Sequence, residues 1–243
     1  MRFNNVQKII DKIRNKKQGI SNKTKYKPLK SFSQSGEDLI VNYMLRYLFD
    51  KSKINYLDIG AHHSTWLSNT KLFYDNKGSG VLIEPDPTLF KEIKKNRKRD
   101  ICLNCGIGLE NQESADFYIM DSTPINTFSK ESAYRAQNEL GHKIEKIIKI
   151  PLVKVNDIFE KYFNEGCDFL SIDVEGLEMQ ILNSMDFEKY RPKVICIETR
   201  EYGTDELEND IIDMMKAHGY IVYADTHLNT IFLDSKAKTR FSA

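Results

Sequence analysis

The 243-residue sequence has no apolar run of 18 or more residues, so no segment of it reads as a membrane-spanning helix. Its N-terminus also lacks the uncharged apolar core of a signal peptide, and a cytoplasmic location is the expectation. An excess of one charge is missing too: 36 Lys and Arg stand against 35 Asp and Glu, a formal net charge of +1. With no overall field to recruit a polyanion, nucleic acid is not expected as a partner. The four cysteines are few, and Cys167 and Cys196 stand alone. Cys102 and Cys105 form a C-x-x-C, but no second pair completes a four-ligand zinc site, and positions three apart on a strand point to opposite faces. They read as two thiols of a reducing compartment, one of them in the core. Internal repeats and low-complexity tracts are absent, and the length suits one large α/β domain rather than two with a linker.

What is present centres on Tyr56-Leu57-Asp58-Ile59-Gly60-Ala61-His62-His63-Ser64-Thr65, a short apolar strand, an acidic turn with glycine, and the start of a predicted helix over 65–76. In an open α/β sheet such a strand delivers its carboxyl end to a ligand crevice, and glycine lets the backbone pass close to the ligand. A dinucleotide fingerprint G-x-G-x-x-G is lacking, because His62 and Ser64 stand at the later glycine positions and Asp58 stands at the loop's entrance. A carboxylate there opposes a phosphate and favours the ammonium and sulfonium of S-adenosylmethionine. Glu84 ends the next strand, Val81–Glu84, near the spacing at which an acid grips ribose hydroxyls, a feature shared by NAD and S-adenosylmethionine.

Phe3, Val6, Ile9, Ile10 and Ile13 lie at helical spacing among basic residues, which predicts an amphipathic helix over 3–17, followed by a linker at 19–28. It is expected to dock on its own domain or on a second subunit, giving a homo-oligomer, with adsorption to the inner face of a membrane as the alternative. Ser33 or Ser35 is expected to cap a helix over 39–49. Asp86 and Thr88 begin another, whose run Lys91, Lys94, Lys95, Arg97, Lys98 and Arg99 reads as a solvated face. Strands follow at 101–103, 115–120 and 146–153, the last containing Pro151, which suits a sheet edge. Between the latter two, the polar stretch 121–141 reads as a lid or an acceptor site.

Two later strands end in acids, Ser171-Ile172-Asp173-Val174-Glu175-Gly176 and Val194-Ile195-Cys196-Ile197-Glu198. With Asp58 and Glu84 they give the sheet an acidic carboxyl edge. If Asp58 and Glu84 hold the cofactor, Asp173, Glu175 and Glu198 face the acceptor, where one of them serves as general base for a hydroxyl proton. A divalent metal held by the same carboxylates, joined by His62 and His63, is the alternative and is not favoured.

Asp58-Ile59-Gly60-Ala61-His62-His63 with Ser68-Asn69-Thr70, Ile83-Glu84-Pro85-Asp86-Pro87, the Asp173–Gly176 segment and Arg191–Glu198 together resemble the FkbM-type S-adenosylmethionine-dependent methyltransferases. The resemblance runs from about Ser33 to Leu233. It implies a Rossmann-like, seven-stranded, mostly parallel sheet of the class I methyltransferase type, with 31–243 as one domain carrying an insertion around 110–153 and 1–30 as an N-terminal extension. It also implies O-methylation of a sugar or polyketide hydroxyl, and hence a small-molecule or glycan acceptor. Cofactor contacts are expected from Asp58, Gly60, His62, Ser64 and Asn69 on the first loop and from Glu84 and Asp86 on the second. Competing readings are an NAD-dependent sugar-modifying enzyme and a degenerate, non-catalytic binding module.

Overall fold

The computed structural model describes residues 29–108, 112–200 and 207–241. The chain divides after Lys30 into two units. The predicted N-terminal helix and linker, at 3–17 and 19–28, lie outside the described residues.

Seven short strands of the larger unit form one sheet. Five of them run parallel: β1 (Asn55–Ile59), β2 (Ser79–Ile83), β3 (Ile101–Leu103), β7 (Phe169–Ile172) and β8 (Val194–Glu198). Antiparallel to β8 lies β10 (Asn229–Asp234), and β9 (Tyr220–Asp225) closes the edge against it, so the order is β3-β2-β1-β7-β8-β10-β9. Each central strand reads as nearly continuous apolar sequence because both its faces are covered. Along β1, Leu57 and Ile59 point to one layer, where α5 (Val155–Tyr162), α6 (Glu178–Ser184) and α7 (Asn209–Ala217) supply Phe159, Leu182 and Met215. Tyr56 points to the other, where α1 (Glu37–Phe49), α2 (Lys71–Asp75) and α3 (Pro87–Asn96) supply Met44, Phe73 and Ile93. Period-two alternation thus produces a three-layer α/β/α fold. The chain winds outward from β1 through β2 to β3, then returns to lay β7 on the other side of β1. That reversal opens a crevice at the carboxyl ends of β1 and β7.

The insertion is a separate small sheet, β4 (Gly106–Ile107), β6 (Ile144–Val153) and β5 (Ser114–Met120) in that order, carrying a 3₁₀ turn (Thr123–Ile125) and α4 (Lys130–Glu139). Tyr118, Met120, Ile125, Ala133 and Ala136 give it its own core. Among the described residues no helix is long and apolar enough to cross a membrane.

Three local expectations are corrected. β6 is the middle strand of its sheet rather than an edge: Pro151 pairs with Ser114 of β5, and Leu152 and Val153 pair with β4, so the missing N–H falls where the strand passes from one neighbour to the next. Neither Ser33 nor Ser35 is the cap residue of α1; Gly36 is, with φ +91°, and Ser33 Oγ accepts the Asp38 N–H at 3.3 Å from outside the helix. The predicted helix over 65–76 begins only at Lys71. His63 Nδ1 accepts the N–H groups of Thr65 and Trp66, Ser68 Oγ accepts that of Lys71, and Leu67 adopts φ +55°. Side chains that satisfy these donors locally hold 62–70 as a built loop.

Candidate active site

The crevice is a cavity of about 620 Å³, a size that suits a small-molecule ligand. Asp58, Gly60, His62, Asn69, Glu84, Asp173, Glu175 and Glu198 all line it, from four adjacent strand ends and the loops after them. Strand order sets their order across the sheet: Glu84, then Asp58, then Asp173 and Glu175, then Glu198.

The first wall is built by the loops after β1 and β2. Gly60 sits at φ +83°, and a Cβ there would lie 1.7 Å from the Asp173 carbonyl oxygen, so only glycine fits between the diverging strands. Glu84 is 5% exposed; its Oε2 accepts the His62 N–H and its Oε1 the Asp86 N–H, each at 2.7 Å. Burial pushes its pKa up to about 8 in spite of those two bonds. Asp58 is pushed up to about 6, again by burial, with the Thr70 hydroxyl at 2.6 Å partly offsetting it. His62 is held below its ordinary value, first by burial and then by His63. Asn69 donates to Ser171 Oγ at 3.0 Å, which ties this loop to β7.

The structure brings two predicted cofactor residues to other tasks. Ser64 does not line the cavity: its hydroxyl donates to Glu92 of α3 at 2.6 Å, and the Glu92 carboxylate also takes its N–H at 3.0 Å. Asp86 caps α3, accepting the N–H groups of Thr88 and Leu89, and its second oxygen accepts Asn126 Nδ2 at 3.1 Å. That last bond is among those that fasten the insertion over the cavity. His62 Nε2 and Thr123 Oγ1 share a hydrogen bond at 3.0 Å, and Thr127 Oγ1 donates to the Glu175 carbonyl at 2.9 Å. Thr123, Pro124, Ile125, Asn126 and Phe128 form part of the wall, held at three points by the loops after β1, β2 and β7.

Asp173, Glu175 and Glu198 make the other half. One oxygen from each falls in a group whose members all lie within 4.8 Å of one another. Glu175 has φ +58°, and its loop is held by Glu178, whose carboxylate accepts the N–H groups of Val174 at 2.8 Å and Gly176 at 2.9 Å. Burial and then the neighbouring acids Glu178, Asp58 and Glu37 raise Asp173 to about 7. Glu175 and Glu198 are raised well above the carboxylate range, by burial first and then by Asp173. Such like charges cannot all ionise together, so the trio holds protons near neutral pH.

Sequence reasoning missed several participants. Arg97, read as part of a solvated face, is 1% exposed. Its guanidinium donates to Asp100 at 2.8 Å, Tyr56 at 3.1 Å, the Ser64 carbonyl at 3.1 Å and Thr70 Oγ1 at 3.0 Å, and Thr70 in turn donates to Asp58. It is thus the positioning residue behind the first wall; the other five members of its basic run are exposed. Glu178 carried no signal beyond an acid at a helix start. Trp66, the only tryptophan, lines the cavity at 55% exposure with its ring 5.3 Å from that of His62, and its rarity was the available clue. His227 and Leu228 reach the cavity from the β9–β10 turn and Asn229 from the start of β10, which no local pattern announced. The four cysteines are free, and Cys102 and Cys105 take no part in the site.

Residues 58–222 match the profile of the family described as the methyltransferase FkbM domain. No curated protein matches the sequence significantly. Similar solved structures include a TehB-like SAM-dependent methyltransferase from Corynebacterium glutamicum, with 9% identity over 94% of this chain and 97% of that one and a TM-score of 0.44. A precorrin-6y C5,15-methyltransferase from Geobacter metallireducens has 11% identity over 87% and 95%, with a TM-score of 0.40. An O-methyltransferase from Bacillus cereus in complex with SAH has 13% identity over 84% and 81%, with a TM-score of 0.38.

Proposed function

The chain belongs to the FkbM methyltransferase domain family, and from that premise we propose that it transfers a methyl group from S-adenosylmethionine to a hydroxyl of a sugar or glycoconjugate. The observation that carries this reading is a single cavity shared between Glu84 and Asp58 on two neighbouring strand ends and Asp173, Glu175 and Glu198 on the next two.

The first pair fits the cofactor. Each Glu84 oxygen spends one lone pair on a backbone N–H and keeps capacity for a ribose hydroxyl. Gly60 leaves the space that a Cβ would fill, and the Asp58 charge favours an ammonium and a sulfonium. A pyrophosphate is poorly served: Arg200 is the only Lys or Arg among the described lining residues, and it already donates to the His227 carbonyl at 2.6 Å. When bound, S-adenosylmethionine supplies a methyl group on sulfur, which departs as a neutral thioether.

The trio fits the acceptor. Carboxylate oxygens accept hydrogen bonds from sugar hydroxyls and fix one of them in line with the methyl. The carboxylate that is ionised takes the hydroxyl proton as the new O–C bond forms, a contribution of about 10²–10⁴-fold. Cytoplasmic action completes the proposal.

Trp66 fluorescence and calorimetry with S-adenosylmethionine, S-adenosylhomocysteine and NAD test the first half; tight NAD binding without response to the other two would overturn it. A screen of nucleotide sugars, oligosaccharides and glycolipids for methyl transfer tests the second. Transfer to nitrogen or carbon only, with none to hydroxyls, removes the O-methyl reading.

A further inference from the structure

Oxygens on opposite sides of one bound ion are separated by twice the metal–oxygen distance, about 4.0–4.2 Å for Mg²⁺ and about 4.6–5.2 Å for Ca²⁺. The oxygens of Asp173, Glu175 and Glu198 all lie within 4.8 Å of one another, close enough for one ion to reach all three. The charged groups that act most strongly on Asp173 and Glu198 are themselves carboxylates, Glu178, Asp58 and Glu37 for the one and Asp173, Glu175, Glu178 and Glu208 for the other.

An acidic cluster by itself is ordinary; Asn229 makes this one different. It lies directly opposite Glu198 in the β8–β10 pairing and is 5% exposed. Its Nδ2 is spent on Glu37 Oε1 at 3.0 Å, and its Oδ1 is buried with no hydrogen-bond partner among the described residues. With the nitrogen tied to Glu37, the oxygen is the free end of the amide, in a residue that lines the same cavity as the three acids. A buried acceptor without a donor is costly to leave so, and on the strand position opposite Glu198 a cation or an incoming donor would satisfy it. The set is all oxygen, with no thiolate or imidazole, which selects a hard ion.

We propose that Asp173, Glu175, Glu198 and Asn229 Oδ1 form a binding site for one hard divalent cation of the Mg²⁺, Mn²⁺ or Ca²⁺ class. The ion would offset most of the carboxylates' charge and, with an acceptor hydroxyl as a further ligand, would lower that hydroxyl's pKa. This catalytic consequence rests on the methyl-transfer reading above; the site itself does not.

The test is a titration of the full chain with Mn²⁺ at pH 7.5, reading free ion by electron paramagnetic resonance, with S-adenosylhomocysteine binding measured in parallel. One Mn²⁺ per chain is expected, displaced by Mg²⁺ or Ca²⁺. Glu198→Gln and Glu175→Gln weaken it at least tenfold and Asn229→Ala several-fold, while S-adenosylhomocysteine still binds and so reports a folded cavity. The proposal is overturned if wild-type protein that binds S-adenosylhomocysteine takes up no Mn²⁺ at millimolar concentration, or if all three substitutions leave Mn²⁺ binding unchanged. Methyl transfer that survives EDTA in protein without Mn²⁺ uptake removes the ion and keeps the methyltransferase. Mn²⁺ uptake lost in the variants, in a protein that binds neither S-adenosylmethionine nor its product, does the reverse.

Discussion

Glu84 makes cofactor affinity depend on pH in a direction that the structure sets. Its carboxyl is enclosed at the end of β2, and burial holds its pKa up at about 8 although two backbone N–H groups bond to it. On the proposed contact, two ribose hydroxyls would donate to that carboxyl and favour its ionised form, so below pH 8 the free protein is expected to lose a proton on binding, the bound carboxyl being brought to about 6 or lower. Affinity for S-adenosylhomocysteine is therefore expected to rise about tenfold per pH unit from about 6 to about 8 and to level off above, roughly 100-fold or 2.8 kcal/mol in all. Asp58 titrates at about 6, at the lower end of that window, and His62 is held below its ordinary value. Asp173, at about 7, titrates inside it, so a control is needed. Glu84→Gln supplies one: the amide keeps one acceptor for a backbone N–H, loses the other, and has no proton to release. It should bind more weakly at pH 8.5, by about 1–3 kcal/mol, and without the slope. Isothermal titration calorimetry in two buffers of different ionisation enthalpy counts the proton directly, close to one released at pH 7 by wild type. Flat wild-type affinity between pH 6 and 8 with no proton released, or an unchanged slope in Glu84→Gln, refutes the reasoning.

Gly60→Ala puts a Cβ 1.7 Å from the Asp173 carbonyl oxygen at φ +83°, so β1 and β7 must part at their ends. Loss of measurable S-adenosylhomocysteine binding is expected by calorimetry, and a variant that binds normally would show the cradle to be wider than described. Arg97→Met leaves the fully buried Asp100 carboxylate unpaired, which costs about 3–5 kcal/mol. That corresponds to a fall in Tm of about 6–20 °C for a domain of this size by scanning calorimetry, whereas an exposed arginine would move it hardly at all. Glu178→Gln keeps one of the two acceptors that hold the N–H groups of Val174 and Gly176. Turnover should fall at least tenfold with S-adenosylhomocysteine affinity changed less than threefold, and equal losses in both would place Glu178 in the cofactor half instead.

The strands of the main sheet, the acids that end them and the glycine between were legible in the sequence, whereas the two-residue strand Gly106–Ile107 was not. Each is a local pattern: apolar runs of four or five residues mark a strand covered on both faces, and a carboxylate or glycine after such a run stands at the carboxyl edge whatever the partners are. Asp58, Glu84, Asp173 and Glu198 were legible for that reason, and a parallel sheet then carries them to one cavity. Which polar groups pair depends on contacts between segments far apart in the chain. Ser64 looked like a cofactor contact and faces Glu92, 28 residues on; Arg97 looked solvated and braces Thr70 and Asp58 from inside. Neither charge nor spacing distinguishes an arginine on the outer face of a chain segment from one that turns inward to a buried acid three residues away. Asn229 lies 192 residues from the Glu37 that takes its nitrogen. Its unpaired oxygen follows from the register of β8 on β10, a pairing free energy spread over ten residues and written in no single one of them.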